Sequence, residues 1–262
     1  MDDTAAITPG QIRKIVSLID LTNLNDHCDQ AAIEVLCTQT ETPAGRVAAV
    51  CVWPSFVAAA RLCLGKHSPV EIATVVNFPG GDEDLQTTCA AIDNALHDGA
   101  TEIDYVLCYK KLIDGDTTGA GNALKAVRQQ TPDHIQLKVI LETGVLKTDE
   151  LIRNAAQIGL DQGADFIKTS TGKVPVNATP QAATLMFDAI EQANRHAGFK
   201  AAGGIKSIED AIVYTTMAEE HFGADWVVPA NFRFGASSLL QDALSKLRDD
   251  RLRASASQQS DY

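Results

Sequence analysis

Residues 163–170 read GADFIKTS, and the same layout returns twice, as GATEIDYV from residue 99 and as GADWVV from residue 223. Each copy opens on a glycine suited to a helix C-cap, passes through a turn and enters an apolar run of strand character. Working outward, short apolar runs recur at 17–22, 47–52, 71–78, 101–107, 135–143, 165–170, 198–204 and 225–228. A last strand-like piece, 232–237, follows the eighth run. Between them lie amphipathic stretches near 28–41, 54–66, 83–98, 117–130, 148–162, 179–197 and 207–221, with an eighth helix over 236–248. Strands alternating with helices predict parallel βαβ units. Eight such units predict a single (β/α)8 TIM barrel spanning residues 1–262, with an extra helix near 8–16 and a mobile polar tail over 254–262. The rival is an open doubly wound sheet. No strand here is followed by a G-x-G-x-x-G turn, so the dinucleotide-binding version of that fold loses support.

The bulk properties agree with one α/β domain. A chain of 262 residues is an ordinary length for such a barrel, and 45% hydrophobic residues are enough to fill a core without staples. A net charge of −12 argues against nucleic-acid and anionic-membrane partners. It leaves room for a small anionic substrate in a locally cationic pocket. Six cysteines (Cys28, Cys37, Cys51, Cys63, Cys89 and Cys108) form no C-x-x-C pair and have no histidine cluster beside them. That pattern predicts reduced thiols in a cytoplasmic protein and no metal site. The N-terminus lacks an apolar signal core, and no apolar run has transmembrane length.

Charges interrupt five of the strands. Asp20, Asp104, Lys138, Lys168 and Lys200 each sit inside an apolar run, flanked by residues of the opposite face. With helices covering the outside of a barrel, all five point inward. An unpaired buried charge costs several kcal/mol, on the order of what a small domain can lose. These five partly neutralise one another and leave a surplus of positive charge. Both a structural ion network and a reactive site fit such a cluster. Lysine favours the second, because its pKa falls on burial or beside another cation, freeing an amine that attacks carbonyls. Cys51 lies on the second strand where it can face the same interior, either as a core thiol or as a target for aldehydes.

Small-residue loops follow the late strands: TSTGK at 169–173, AGGIK at 202–206 and FGASS at 234–238. Loops at the C-terminal ends of barrel strands build active sites, and glycine-rich turns with a helix N-terminus hold phosphate there. Gly172, Lys173, Gly203, Gly204, Lys206, Gly235, Ser237 and Ser238 are the candidate phosphate contacts. Any single loop is equally readable as an ordinary turn with a capping serine.

Six blocks carry a resemblance. DLTNLND at 20–26, EIDYVL at 102–107, LKVILETG at 137–144, GADFIKTSTGK at 163–173, GFKAAGGIK at 198–206 and FRFGASSLL at 232–240 together resemble the deoxyribose-phosphate aldolases. These are class I aldolases on a (β/α)8 barrel, and the likeness runs from about residue 11 to the C-terminal tyrosine. It implies reversible cleavage of 2-deoxy-D-ribose 5-phosphate to acetaldehyde and D-glyceraldehyde 3-phosphate, with no metal or organic cofactor. By the same resemblance Lys168 matches the Schiff-base lysine, Lys200 the lysine that perturbs it and Asp104 the proton-relay carboxylate. Lys138 and Asp20 match further polar groups of the site, and Tyr262 a C-terminal tyrosine that assists proton transfer. The glycines, lysines and serines named above fall on the phosphate positions.

There are two departures. Lys206 replaces an arginine of some relatives, which bears on phosphate affinity rather than identity, and KAAGG replaces KPAGG, which bears on local rigidity. Family members often form dimers, so a homodimer is within expectation. Alternatives compatible with the residues are a Schiff-base aldolase for another sugar phosphate, a lysine-dependent dehydratase and a non-catalytic sugar-phosphate-binding barrel.

Overall fold

The computed structural model describes residues 7–193 and 195–259. Its centre is a closed, all-parallel barrel of eight strands. They are β1 (Ile19–Asn23), β2 (Ala49–Val52), β3 (Glu71–Val76), β4 (Glu102–Val106), β5 (Gln136–Ile140), β6 (Phe166–Lys168), β7 (Gly198–Ala202) and β8 (Phe232–Ala236). Each strand pairs with its sequence neighbours, and β8 closes onto β1 with Ile19 opposite Phe234. The outer layer is formed by α1 (Pro9–Ser17), α2 (Gln30–Thr38), α3 (Val57–Leu64), α4 (Leu85–His97), α5 (Thr117–Gln130), α6 (Asp149–Asp161), α7 (Pro180–Gln192), α8 (Ile208–Phe222) and α9 (Leu239–Gln259).

The extra first helix has a clear local cause. Thr8 and Gln11 form a capping box and Pro9 presets the first turn, while Ile12, Ile15 and Val16 bury one face. Lys14 then ties α1 to α8 through Glu219 at 2.7 Å.

The glycine cap of the repeated turn forms at all three sites, and a strand follows it at two. Gly99 and Gly163 take φ of 102° and 91°, a region that suits glycine. The amides of Ala100 and Ala164 reach back to Ala95 and Gly159 at 2.9 and 3.0 Å, ending α4 and α6 before β4 and β6.

The third copy corrects the sequence reading. Residues 225–228 are not a strand: Ala224–Trp226 is a 3-10 turn, and the eighth strand is the piece expected to follow it. Pro229 has no N–H for a ladder, and the amides of Asn231 and Phe232 both turn back to the Val228 carbonyl. Trp226 packs outside the barrel instead, stacked on Phe222 with ring centroids 4.1 Å apart. In FRFGA the alternation is cleaner, with Phe232 and Phe234 outward in that aromatic cluster and Arg233 inward.

Other boundaries moved less. The helix expected over 28–41 stops at Thr38, and Glu41–Thr42 pairs with Gly45–Arg46 as a small antiparallel ribbon. Short helical turns, Tyr109–Ile113 and Thr143–Leu146, follow β4 and β5. The last helix continues to Gln259, into the expected tail. Among the described residues no helix is long and apolar enough to cross a membrane.

Candidate active site

The barrel interior is filled by charge. Asp20 from β1, Glu102 and Asp104 from β4, Lys138 from β5, Lys168 from β6, Lys200 from β7 and Arg233 from β8 are all buried. Their placement follows from the parallel registers, in which Asp104 lies opposite Lys138 and Lys168 opposite Lys200. All five charges expected inside are therefore brought together.

Two more belong to the same cluster, Glu102 and Arg233. Glu102 was legible: it stands two residues before Asp104 and so shares its face. Arg233 is hidden as long as 225–228 is taken for the eighth strand, which is Phe232–Ala236 instead.

The network has two layers. In the lower one, Arg233 bridges Asp20 at 2.7 Å and Glu102 at 3.0 Å, and Lys138 also bonds Glu102. In the upper one, a single oxygen of Asp104 accepts from Lys168 and Lys200, each at 2.8 Å, while its other oxygen accepts from Lys138 at 3.0 Å. Lys200 also reaches Asp20 at 2.5 Å. Four cations face three carboxylates, so one positive charge lacks a counter-charge.

The electrostatics select which amine gives up its proton. Burial lowers the pKa of Lys168, the charge of Lys200 lowers it further, and Asp104 only partly opposes them. At Lys200 burial acts in the same sense, but Asp104 and Asp20 together outweigh it and hold the amine above the usual lysine range. Lys138 is also raised, by Asp104 and Glu102 against burial. Burial would raise the Asp104 carboxyl, yet Lys138, Lys168 and Lys200 keep it well below the ordinary value. Burial is thus the larger influence on Lys168, and Lys200 the second cation beside it. Cys51 does face this interior; burial and Asp104 push its thiol up, so it stays protonated.

Arg233 is the keystone of the lower layer. Its replacement by methionine leaves Asp20 and Glu102 buried without the guanidinium. The expected cost is about 3–5 kcal/mol of stability, read from the denaturant midpoint. A loss below about 1 kcal/mol would show that the remaining lysines suffice.

Above the network lies a cavity of about 270 Å³. Of the four interior cations, Lys168 is the one that lines it. Gly172, Lys173, Gly203, Gly204, Lys206, Gly235, Ser237 and Ser238 all line it too, so the three late loops do converge on one space. Ser237 and Ser238 lead into the N-terminus of α9, a favourable end for an anion. Gly203 has φ of 80°, and a β-carbon there would fall about 2.6 Å from Asn177, so only glycine lets this turn close against its neighbour.

Two cations of the cavity wall have neighbours that the sequence does not indicate. Lys173 is exposed and pairs with Asp26 at 2.8 Å, 5.6 Å from the Trp53 ring centroid. The Lys206 amide is occupied by Asp210, whereas its side chain forms no ion pair among the described residues. Thr22, Asn25 and Thr171 also line the cavity and were not singled out from sequence. Tyr262 lies outside the described residues. Among the described residues no group of three or more His, Cys, Asp or Glu side chains is placed to hold a metal ion.

Comparison with known proteins places this barrel among relatives. The sequence pattern of the DeoC/LacD family aldolases matches residues 14–244. A deoxyribose-phosphate aldolase of Agrobacterium fabrum is 49% identical over 232 residues, covering 88% of this chain and 90% of the relative. A crystal structure from Coccidioides immitis superposes with a TM-score of 0.78 at 29% identity, covering 92% of this chain and 87% of the other. The tetrameric deoxyribose phosphate aldolase of Aeropyrum pernix shares the fold, with a TM-score of 0.72 at 22% identity over 91% and 93% of the two chains. The family match spans the barrel from α1 into α9 and takes in every strand that carries a charged interior residue. The chain belongs to the DeoC/LacD aldolase family.

Proposed function

We propose that this protein is a class I aldolase that reversibly cleaves 2-deoxy-D-ribose 5-phosphate to acetaldehyde and D-glyceraldehyde 3-phosphate. The observation that carries the reading is Lys168. It is the one interior amine that both lines the cavity and has a lowered pKa. The 49% identity to a deoxyribose-phosphate aldolase supports the choice of substrate.

In this mechanism neutral Lys168 attacks C1 of the open-chain aldehyde and, with loss of water, forms an iminium. The iminium is the electron sink. Asp104, held ionised, takes the C3 hydroxyl proton through a water while the C2–C3 bond breaks and its electron pair moves into the iminium. Glyceraldehyde 3-phosphate leaves, and the enamine remains. Protonation at C2 and hydrolysis then release acetaldehyde and restore the amine. Lys200 stays cationic and depresses Lys168. Lys138 and Asp20 hold Asp104 and Lys200 in place, and Tyr262 assists the C2 proton transfer. The loops carrying Gly172, Lys173, Gly203, Gly204, Lys206, Gly235, Ser237 and Ser238 take the phosphate, whose remote binding energy orients the reacting carbon.

The test is product identity. Incubation with 2-deoxyribose 5-phosphate is expected to release acetaldehyde, read with an alcohol dehydrogenase and NADH. Release of pyruvate or dihydroxyacetone phosphate from other sugar phosphates, with no acetaldehyde, would instead identify a different Schiff-base aldolase.

The whole chain acts as one barrel unit in this reading. A cytoplasmic location is part of the same proposal, and the six free cysteines support it. A homodimer is the proposed assembly, and light scattering on the purified chain decides it.

A further inference from the structure

Among the described residues four carboxylates are fully or nearly fully buried: Asp20, Glu102, Asp104 and Glu142. Three of them hold cations. Glu142 forms no ion pair among the described residues, although it is fully buried. Its backbone is also unusual, with φ of 60° and ψ of 53° at a residue that is not glycine. A buried, unpaired and strained acid persists only where its surroundings over-determine it, and such positions cluster at functional sites.

The side chain shows what it is for. Glu142 stands at the N-cap of the helical turn Thr143–Leu146 but makes no side-chain cap there. Both of its oxygens go to the next loop instead. Oε1 accepts from the Thr171 amide at 3.2 Å, and Oε2 accepts from the Thr171 hydroxyl at 2.5 Å. The Thr171 hydroxyl oxygen in turn accepts from the Lys173 amide at 3.1 Å. Between them Gly172 has φ of 84° and nothing within 4 Å of where a β-carbon would stand, so packing does not hold the tip. Below the clamp, the amide of Leu141 bonds the Lys168 carbonyl at 2.9 Å, so the strand carrying Lys168 ends where the clamp begins. Burial raises the Glu142 carboxyl, and Lys168 and the Thr171 bonds pull it back.

We infer that Glu142 is a positioning residue for the loop 171–173: by clamping Thr171 it sets the part of the cavity wall that meets the phosphate end of a phosphorylated sugar. The inference rests on the functional reading given above and assigns the discrimination between phosphorylated and unphosphorylated substrate to this clamp. A carboxylate suits the task because Thr171 presents two donors, N–H and O–H, and both carboxylate oxygens accept; glutamine has one accepting oxygen, and its amide meets the Thr171 hydroxyl only as a donor, with that bond reversed.

The experiment compares the full-length wild type with Glu142→Gln, Thr171→Val, the double variant and Thr171→Ser. Each is assayed with 2-deoxyribose 5-phosphate and with unphosphorylated 2-deoxyribose. Glu142→Gln is expected to lower kcat/KM for the phosphorylated sugar by about tenfold, mostly through KM, as for loss of one charged hydrogen bond. The ratio of kcat/KM between the two sugars falls by about fivefold or more. Because Glu142 acts through Thr171, the double variant loses no more than Thr171→Val alone, and Thr171→Ser keeps most of the wild-type ratio. Should Glu142→Gln fail to fold, the contrast between Thr171→Val and Thr171→Ser reads the same loss.

Additive losses, an equal fall for both sugars or an unchanged ratio would overturn the inference. Borohydride trapping of Lys168 in the wild type separates the two levels. If trapping fails, the functional reading falls and takes this one with it. If trapping succeeds and the ratio does not move, this inference alone is wrong.

Discussion

Replacing Lys168 by alanine is expected to abolish turnover of 2-deoxyribose 5-phosphate, with kcat down by on the order of 10⁴-fold or more. The size of the effect follows from the absence of a substitute. Lys200 is only 2.8 Å from the same Asp104 oxygen, but it is held protonated by Asp104 and Asp20 and does not line the cavity. Lys138 lies deeper, between Glu102 and Asp104, and is likewise raised. Neither offers a neutral amine to an aldehyde. The fold should survive the change, because removal of Lys168 takes away the one interior cation in excess and leaves three cations facing three carboxylates. Circular dichroism checks the fold, and a product assay checks activity. Residual activity above about one hundredth of wild type would mean that another amine carries the chemistry.

The second large effect is expected at Lys200. Its replacement by leucine removes the cation that, after burial, depresses Lys168, and it frees Asp104 to attract the Lys168 proton more strongly. The pKa of Lys168 therefore rises. Since the reactive form is the neutral amine, kcat/KM climbs as pH passes upward through that pKa. The acid limb of the profile must move to higher pH in the variant, and each unit of movement costs about tenfold in neutral amine at a fixed pH below it. With the positioning of Asp104 also disturbed, a loss of about 10²-fold or more near pH 7 is expected. The variant is also less stable, because Asp20 and Asp104 lose a buried partner. Steady-state pH profiles of wild type and variant, taken where both are folded, decide the matter. An acid limb that stays in place would remove Lys200 from any role in tuning Lys168.

Much of this site is readable in the sequence. A lysine or aspartate inside an apolar run has one physical resolution in a barrel covered by helices, which is to face inward. That rule located Asp20, Asp104, Lys138, Lys168 and Lys200, all of which meet in one network. The late glycine and serine loops were legible for a similar reason: their composition is dictated by where βα loops sit on such a fold. The rule reached Glu102 in principle, since Glu102 and Asp104 share a face.

What was not legible depends on contacts distant in sequence. Arg233 needed the eighth strand to be placed correctly, and GADWVV carried the glycine cap of its two counterparts without their pairing. The deciding feature was Pro229, which cannot join a ladder, together with a tryptophan that finds a stack on α8. The pairing of Lys173 with Asp26 is hidden because the two lie 147 residues apart in sequence. Glu142 carried no local signal at all. It follows an apolar strand as any loop residue would, and only its left-handed backbone and its bonds to Thr171 set it apart.

Lys168 alone among the seven charges of the barrel network is assigned the role of nucleophile. Adding borohydride to the protein with 2-deoxyribose 5-phosphate and mapping the modified peptide tests that assignment. A single reduced adduct is expected on the peptide containing Lys168, absent when substrate is omitted. An adduct on Lys138, Lys200 or a lysine outside the barrel, or no adduct under turnover conditions, would contradict it.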